Sequence, residues 1–331
     1  MIAKSIQILR KLQAPTGLMM ASQAGVTTGY NRAWLRDNVY EALGFEAVKD
    51  KKNVIKIYRC LLDIFLKHEE KIDWAIREKP DEKFKYIHAR YDPHTFEEIY
   101  EDWGNKQNDA VGAVLFKIGE LEEKGIKVIR NSKDLRILQK LVWYLESIEY
   151  WHDEDNGVWE ENEEVHASSV GACVAGLKKI SKIVDVSKEL IEKGQETLNR
   201  LLPRESLTKE TDLALLSLIY PYDIVNAKQK KLILKNVEEQ LVRERGVIRY
   251  HNDAYYNENG EAEWTMGLPW LAIIYKQLNK PAQYAKYMRK SVEVMNDQNE
   301  MPELYFANSQ RFNENSPLGW SQALFLVARM N

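Results

Sequence analysis

Ala167-Ser-Ser-Val-Gly-Ala-Cys-Val-Ala-Gly-Leu177 and Leu318-Gly-Trp-Ser-Gln-Ala-Leu-Phe-Leu-Val-Ala-Arg329 carry almost no charge on any face when wound as helices. A helix that is apolar nearly all round must lie inside other helices. By contrast, 226–241 and 280–296 are rich in Lys, Glu and Arg along one face, as outer helices are. Apolar residues at i, i+3, i+4 and i+7 predict about twelve helices, at 3–13, 37–49, 52–70, 107–124, 134–149, 166–181, 186–200, 211–219, 226–241, 264–277, 280–296 and 318–329. Their caps agree: Thr211 and Asp212 precede one apolar run, Pro317 fits a first turn, and Lys124-Gly125 closes another helix. Strand signals are confined to a brief extension at 247–250 and an irregular excursion at 84–100.

The links between helices alternate. Those from even to odd helices, such as Lys49-Asp-Lys51 and Gln277-Leu-Asn-Lys280, are short and plain, as between antiparallel neighbours. Those from odd to even carry six polar-aromatic clusters: Tyr30-Asn-Arg-Ala-Trp-Leu-Arg-Asp37, Trp103-Gly-Asn-Lys-Gln-Asn-Asp109, Trp159-Glu-Glu-Asn162 with His166, Thr208-Lys-Glu-Thr-Asp212, Arg249-Tyr-His-Asn-Asp253 with Trp264, and Pro302-Glu-Leu-Tyr305 with Pro317-Leu-Gly-Trp320. Six inner and six outer helices make an all-α (α/α)6 barrel, with a site at the rim where the inner helices begin. A helical-hairpin solenoid is the competing architecture, but the sequence has no fixed repeat to support it. With 331 residues, 44% of them hydrophobic, and no linker-like or low-complexity tract, the chain reads as one domain over 1–331.

Composition removes several function classes. The 47 basic and 50 acidic residues give a net charge of −3 with no dense basic run, so no nucleic-acid partner is expected. No stretch is long and apolar enough for a membrane span, and Lys4, Arg10 and Lys11 interrupt the apolar core a signal peptide needs. A soluble, cytoplasmic protein follows as the expectation. Cys60 and Cys173 both fall in apolar helical patterns and read as reduced, buried thiols. The six histidines show no metal-ligand spacing; His88, His166 and His251 read as hydrogen-bonding loop residues. No phosphate loop or nucleophile elbow is present, and no cofactor or metal is expected.

The clusters suit a sugar. Nine Trp and 17 Tyr, many in polar loops, offer stacking surfaces, although the same rings also suit a hydrophobic lid over the barrel end. Glu160 and Glu161 before one inner helix and Glu303 before the last can meet across one cavity. Two opposed carboxyls, one protonated and one ionised, suffice to hydrolyse an acetal. An acidic loop is more often merely solvated. Arg36-Asp37 and Arg249 can hold vicinal hydroxyls, with Trp34, Trp103 and Trp320 as walls. Arg36-Asp37 also reads as an internal ion pair, with Asp37 as N-cap of the following helix.

Trp34-Leu-Arg-Asp37, Trp103-Gly-x-x-Gln107-x-Asp109, Trp159-Glu-Glu161, Arg249-Tyr-x-x-Asp253-x-Tyr255, Pro302-Glu303 and Pro317-Leu-x-Trp-Ser321 resemble, in order and spacing, the motifs of glycoside hydrolase family 15. The resemblance spans nearly the whole chain. It implies an (α/α)6 barrel that releases glucose from the non-reducing end of α-linked gluco-oligosaccharides with inversion, with Glu160 as general acid and Glu303 as general base. It further implies Arg36, Asp37, Glu161 and Arg249 as ligands of the terminal glucose and Trp103, Trp320 and Trp34 as walls. Asn105-Lys106 departs from the Arg-Pro found in many relatives. A bare barrel suggests short soluble oligosaccharides as partners. Arg-Asp-Asn-Val-Tyr (36–40) and Pro-Glu-Leu-Tyr (302–305) also resemble the N-terminal region of phosphorylase kinase α and β regulatory subunits, which implies a rival: a glucan-binding or regulatory module without turnover.

Overall fold

The computed structural model describes residues 1–101 and 103–330. Its helices are α1 (Ile2–Leu12), α2 (Leu35–Ala47), α3 (Lys51–Lys67), α4 (Glu69–Glu78), α5 (Asn108–Glu123), α6 (Ser132–Ser147), α7 (Ala167–Ile180), α8 (Lys188–Leu201), α9 (Ala227–Asn236), α10 (Gly267–Gln277), α11 (Pro281–Glu293) and α12 (Gly319–Met330), with a 3-10 helix at Leu213–Leu218. Around the axis, α2 packs on α5, α5 on α7, α7 on the 3-10 helix, that helix on α10, α10 on α12 and α12 back on α2. This closed inner ring is the expected (α/α)6 barrel. α1, α3, α6, α8, α9 and α11 form the outer ring, and α7 and α12 are buried almost throughout, as their lack of charge requires.

Three elements differ from the periodicity. The span predicted at 52–70 ends at Lys67, and α4 follows at once, burying Ile72 and Ala75; its single narrow apolar stripe escaped the reading. The inner helix predicted at 211–219 is one 3-10 segment capped by Asp212, because Pro221 disfavours helical backbone at Tyr220 and leaves little length to propagate. The helix predicted at 226–241 finishes as a π turn over Val237–Leu241.

Two pairs of two-residue strands fasten the furnished loops. β1 (Ala33–Trp34) pairs antiparallel with β2 (Arg90–Tyr91), joining Trp34 to Arg90, and β3 (Glu263–Trp264) pairs with β4 (Leu304–Tyr305). Caps are distributed unevenly. The outer helices α3, α6, α8 and α9 carry side-chain N-caps from Asp50, Asn131, Ser187 and Asn226, whereas inner α2, α5, α7 and α10 have none of their own. Neighbouring loops supply the acceptors instead: Asp155 Oδ2 takes the Asn108 N–H at 2.8 Å and Glu205 Oε2 the Ser168 N–H at 3.1 Å. The loops are therefore held to the helices they surround.

The inner ring tolerates little added volume. A Cβ at Gly112 would lie 2.5 Å from the backbone between Ala172 and Cys173, and one at Gly176 would lie 2.4 Å from the Gly112 carbonyl oxygen. Gly112→Ala gains up to ~1 kcal/mol of helix propensity but forces α5 from α7, so urea unfolding should show a net loss of about 1–3 kcal/mol; a net gain would contradict this packing. Glu41, fully buried in α2, has neither carboxylate oxygen hydrogen-bonded. Burial, with the Asp37 charge added, holds its carboxyl well above the usual range. The folded state therefore keeps it neutral while the unfolded chain ionises it above ~4.3, so the cost of protonating it is absent at acid pH and grows as pH rises toward the folded value, on top of the pH-independent cost of burying it without a hydrogen bond. Glu41→Met should raise Tm at pH 8, by about 1–3 kcal/mol of stability, with the gain shrinking toward pH 4; equal effects at both pH values would refute the neutral carboxyl.

Candidate active site

The N-terminal ends of the inner helices surround a cavity of about 250 Å3 lined by Tyr30, Trp34, Arg36, Asp37, Trp103, Trp159, Glu160, Glu161, Arg249, Tyr255, Trp264 and Trp320, with Val158, Met266 and Leu318. Eight of the nine residues singled out from sequence line it. Glu303 is the exception: it is fully buried and is not among the lining side chains.

Arg36 is the buried hub. Its Nη1 donates to Gln107 Oε1 at 2.7 Å and lies 3.3 Å from Asp109 Oδ2, its Nη2 reaches Glu160 Oε1 at 3.4 Å, and its Nε is 3.7 Å from Asp37 Oδ1. Burial alone would disfavour the guanidinium charge, but Asp109, Asp37 and Glu160 outweigh it and hold the pKa above the ordinary value. Asp37 does not cap α2; Trp34, the last residue of β1, occupies the N-cap position without a side-chain bond, since an indole can only donate. Asp37 lies one turn in, beside Arg36, and burial pushes it up to about 6 despite that partner.

Glu160 sits on the loop between α6 and α7 with φ 65°, a left-handed conformation that costs a non-glycine residue roughly 1 kcal/mol or more. The loop is clamped by Asn156, whose Nδ2 donates to the Glu161 carbonyl at 2.6 Å. Gly104 presses on it from the other side: a Cβ there would lie 2.5 Å from the Glu160 carbonyl oxygen, so the Trp103 turn can approach only with glycine next to it. The Glu160 side chain is 19% exposed and lines the cavity. Burial, opposed by Arg36 and reinforced by Asp37, pushes its carboxyl up to about 7.

Glu161 is gripped by three donors: Arg249 Nη2 at 2.8 Å on one oxygen, and Lys209 Nζ at 2.8 Å with the Tyr250 hydroxyl on the other. Burial raises its pKa, yet Arg249, Lys209 and Tyr250 together hold it below the usual range. Arg249 is itself fixed by Asp253 through Nε and Nη2 at 2.6 and 2.5 Å, and its guanidinium carbon lies 5.1 Å from the Trp264 ring centre and 4.9 Å from that of Tyr255.

Glu303 precedes β4, and its Oε2 accepts from Asn315 at 2.8 Å and from Asn313. Its Oε1 is buried without a hydrogen bond of regular geometry, although the Tyr30 hydroxyl is close enough to act on the carboxyl. Burial keeps the Glu303 pKa raised, and the contacts from Tyr30, Asn315 and Asn313 offset this only in part. Tyr30 receives a 3.3 Å hydrogen bond from Tyr255 and is itself raised by burial and by the charges of both Glu303 and Glu160. It therefore stands within the field of both carboxyls.

Tyr30, Trp159, Tyr255 and Trp264 also line the cavity; nothing in the sequence marks them as site residues, since rings in loops carry no signal that separates lining from lid. Asn313 and Asn315, the partners of Glu303, had no signal beyond proximity in sequence. Asn105 and Lys106 do not line the cavity: Lys106 is buried and paired with Asp153 at 3.0 Å, and Asn105 Nδ2 donates to the Lys83 carbonyl at 3.0 Å. Cys60 and Cys173 are free and buried, as expected, and no helix of the described residues is long and apolar enough to cross a membrane. Among the described residues no group of three or more His, Cys, Asp or Glu side chains is placed to hold a metal ion.

The model of glycosyl hydrolases family 15 matches residues 1–211. A glycosidase structure superposes with a TM-score of 0.83 at 17% identity over 99% of this chain and 94% of that one, and a bacterial glucoamylase in complex with acarbose with 0.72 at 15% identity over 98% and 54%. Among curated sequences, the chain is 25% identical to a probable phosphorylase b kinase regulatory subunit alpha of Caenorhabditis elegans, over 89% of this chain and 30% of that protein. It is 24% identical to the skeletal muscle isoform of that subunit from Oryctolagus cuniculus, over 95% and 31%. The chain thus spans about a third of the length of these curated relatives. With the family model covering well over half of its residues, the chain belongs to glycosyl hydrolases family 15.

Proposed function

We propose that this protein is an inverting exo-α-glucosidase acting on short α-gluco-oligosaccharides, with residues 1–331 working as one catalytic unit. The observation that carries the reading is Glu160: a cavity-lining carboxyl held near 7, so that a substantial fraction is protonated at neutral pH beside a fixed guanidinium. In this mechanism the Glu160 proton passes to the glycosidic oxygen as the C1–O bond breaks. Glu303 takes a proton from the water whose oxygen forms the new bond to C1 from the opposite face, and β-glucose results. Arg36, Asp37, Arg249 and Glu161 hold the hydroxyls of the terminal ring, and Trp34, Trp103 and Trp320 wall it in. A cavity of about 250 Å3 is smaller than the roughly 300–1,000 Å3 of pockets for drug-sized ligands, which supports recognition of one chain end. The solved glycosidase in complex with glucose and the glucoamylase in complex with acarbose support a sugar ligand. Glu303 behind Tyr30 requires that substrate or water reach its Oε1 when the site fills.

The regulatory-subunit relatives favour a second reading, a glucan-binding module in which the same carboxylates are only ligands. A thermal shift with maltooligosaccharide and no glucose released would select it.

Glu160→Gln and Glu303→Gln should each lower kcat for oligosaccharide hydrolysis by about 10²–10⁴-fold, with unfolding curves like the parent's. α-Glucosyl fluoride separates the roles, since fluoride leaves without a proton: Glu160→Gln should lose much less on it than Glu303→Gln. Undiminished turnover in either variant removes the assignment. In the parent, kcat/KM should fall as pH rises through about 7, where Glu160 loses its proton, and fall again at acid pH as Glu303 gains one; a profile flat between pH 6 and 8 is the contrary result.

A further inference from the structure

The barrel has a second cavity at its other end, about 750 Å3 in volume, where the C-terminal parts of α2, α5, the 3-10 helix and α10 meet. Its walls include the apolar Leu43, Val54, Ile126, Ile219 and Leu278 together with three carboxylates and five lysines. The carboxylates are all matched: Lys117, buried at the floor, bonds Glu46 at 2.9 Å and also Glu120, Lys124 lies 3.0 Å from Glu120, and Lys230 pairs with Asp223. Lys49 and Lys51 remain. Both are exposed, and among the described residues neither ammonium has a carboxylate partner. The Tyr220 hydroxyl and the Gln277 amide, also in the walls, likewise make no hydrogen bond among the described residues.

Lys49 is also conformationally expensive. It follows the C-cap of α2 at φ 60°, donating its N–H to the Glu46 carbonyl at 2.9 Å, in the left-handed position where glycine is usual. A lysine there buys a charge at the mouth at the expense of backbone strain. Two unpaired ammonium groups and an exposed amide, Gln277, at the entrance, the half-buried Tyr220 hydroxyl further in, and an apolar wall are what a hydroxyl-bearing phosphate ester needs: cations for the phosphate, neutral polar groups for the hydroxyls, and carbon surface for the ring.

We propose that this far-end cavity binds a small polyhydroxylated phosphate monoester of hexose-phosphate size, held at the phosphate by Lys49 and Lys51. The site is separate from the Glu160 cavity and does not depend on turnover there. Calorimetric titration of the full chain in low-salt buffer with glucose 6-phosphate, glucose and inorganic phosphate tests it. Titrated into Asp37→Asn, in which the sugar site at the other end is impaired, glucose 6-phosphate should still bind, and glucose and phosphate alone should each bind at least about tenfold more weakly, since each makes only part of the contacts. The double variant Lys49→Gly, Lys51→Gln should weaken glucose 6-phosphate by about tenfold or more while unfolding no earlier than the parent, because glycine relieves the left-handed strain. Asp37→Asn, at the other end of the barrel, should leave the affinity unchanged. No heat with millimolar glucose 6-phosphate, binding indifferent to the lysine pair, or binding lost in Asp37→Asn would each overturn the proposal.

Discussion

Arg36 is the constraint around which this site is arranged. A guanidinium almost wholly removed from water is tolerable only if carboxylates and hydrogen-bond acceptors surround it, and here they come from three separate segments: Asp37 from the first turn of α2, Gln107 and Asp109 from the start of α5, and Glu160 from the loop before α7. One buried cation therefore fixes the relative positions of three inner helices. It also sets the chemistry, because it moderates, without abolishing, the upward push that burial exerts on Glu160 and Asp37. The opposite wall repeats the device, with Arg249 held by Asp253 and presented to Glu161.

The loops reach this arrangement through exchange of caps. Inner helices that begin without a cap of their own take acceptors from neighbouring loops, as α5 does from Asp155 and α7 from Glu205. The short pairing of β1 with β2 joins the Trp34 turn to the excursion that precedes Trp103. At the far end of the barrel the cavity lysines meet carboxylates on the helix ends themselves, and among the described residues Lys49 and Lys51 are left without one.

Much of the architecture was legible from charge and period. The uncharged runs at 167–177 and 318–329 are inner helices, and the six furnished links all lie at one rim, since a barrel leaves few ways to bury faces that are apolar all round. What escaped was governed by context. α4 has a single stripe only wide enough to bury Ile72 and Ala75, and the 3-10 form of Leu213–Leu218 depends on a proline beyond its end. In the site, charged residues flanked by Trp were readable, because such a combination is costly unless used. The recess of Glu303 behind Tyr30 was not, because burial depends on how β4 pairs with β3, and that is set by residues 40 positions apart (304 minus 264).

On the proposed mechanism Glu160 and Glu303 act on one glycosidic bond from opposite faces. Proton NMR of the anomeric signals during the first minutes of reaction with maltose, isomaltose, panose, trehalose and maltotriose tests it directly. β-Glucose should appear before mutarotation from at least one of them. α-Glucose as the first product would contradict inversion, and no release from any of the five, with a maltooligosaccharide still binding, would contradict turnover altogether.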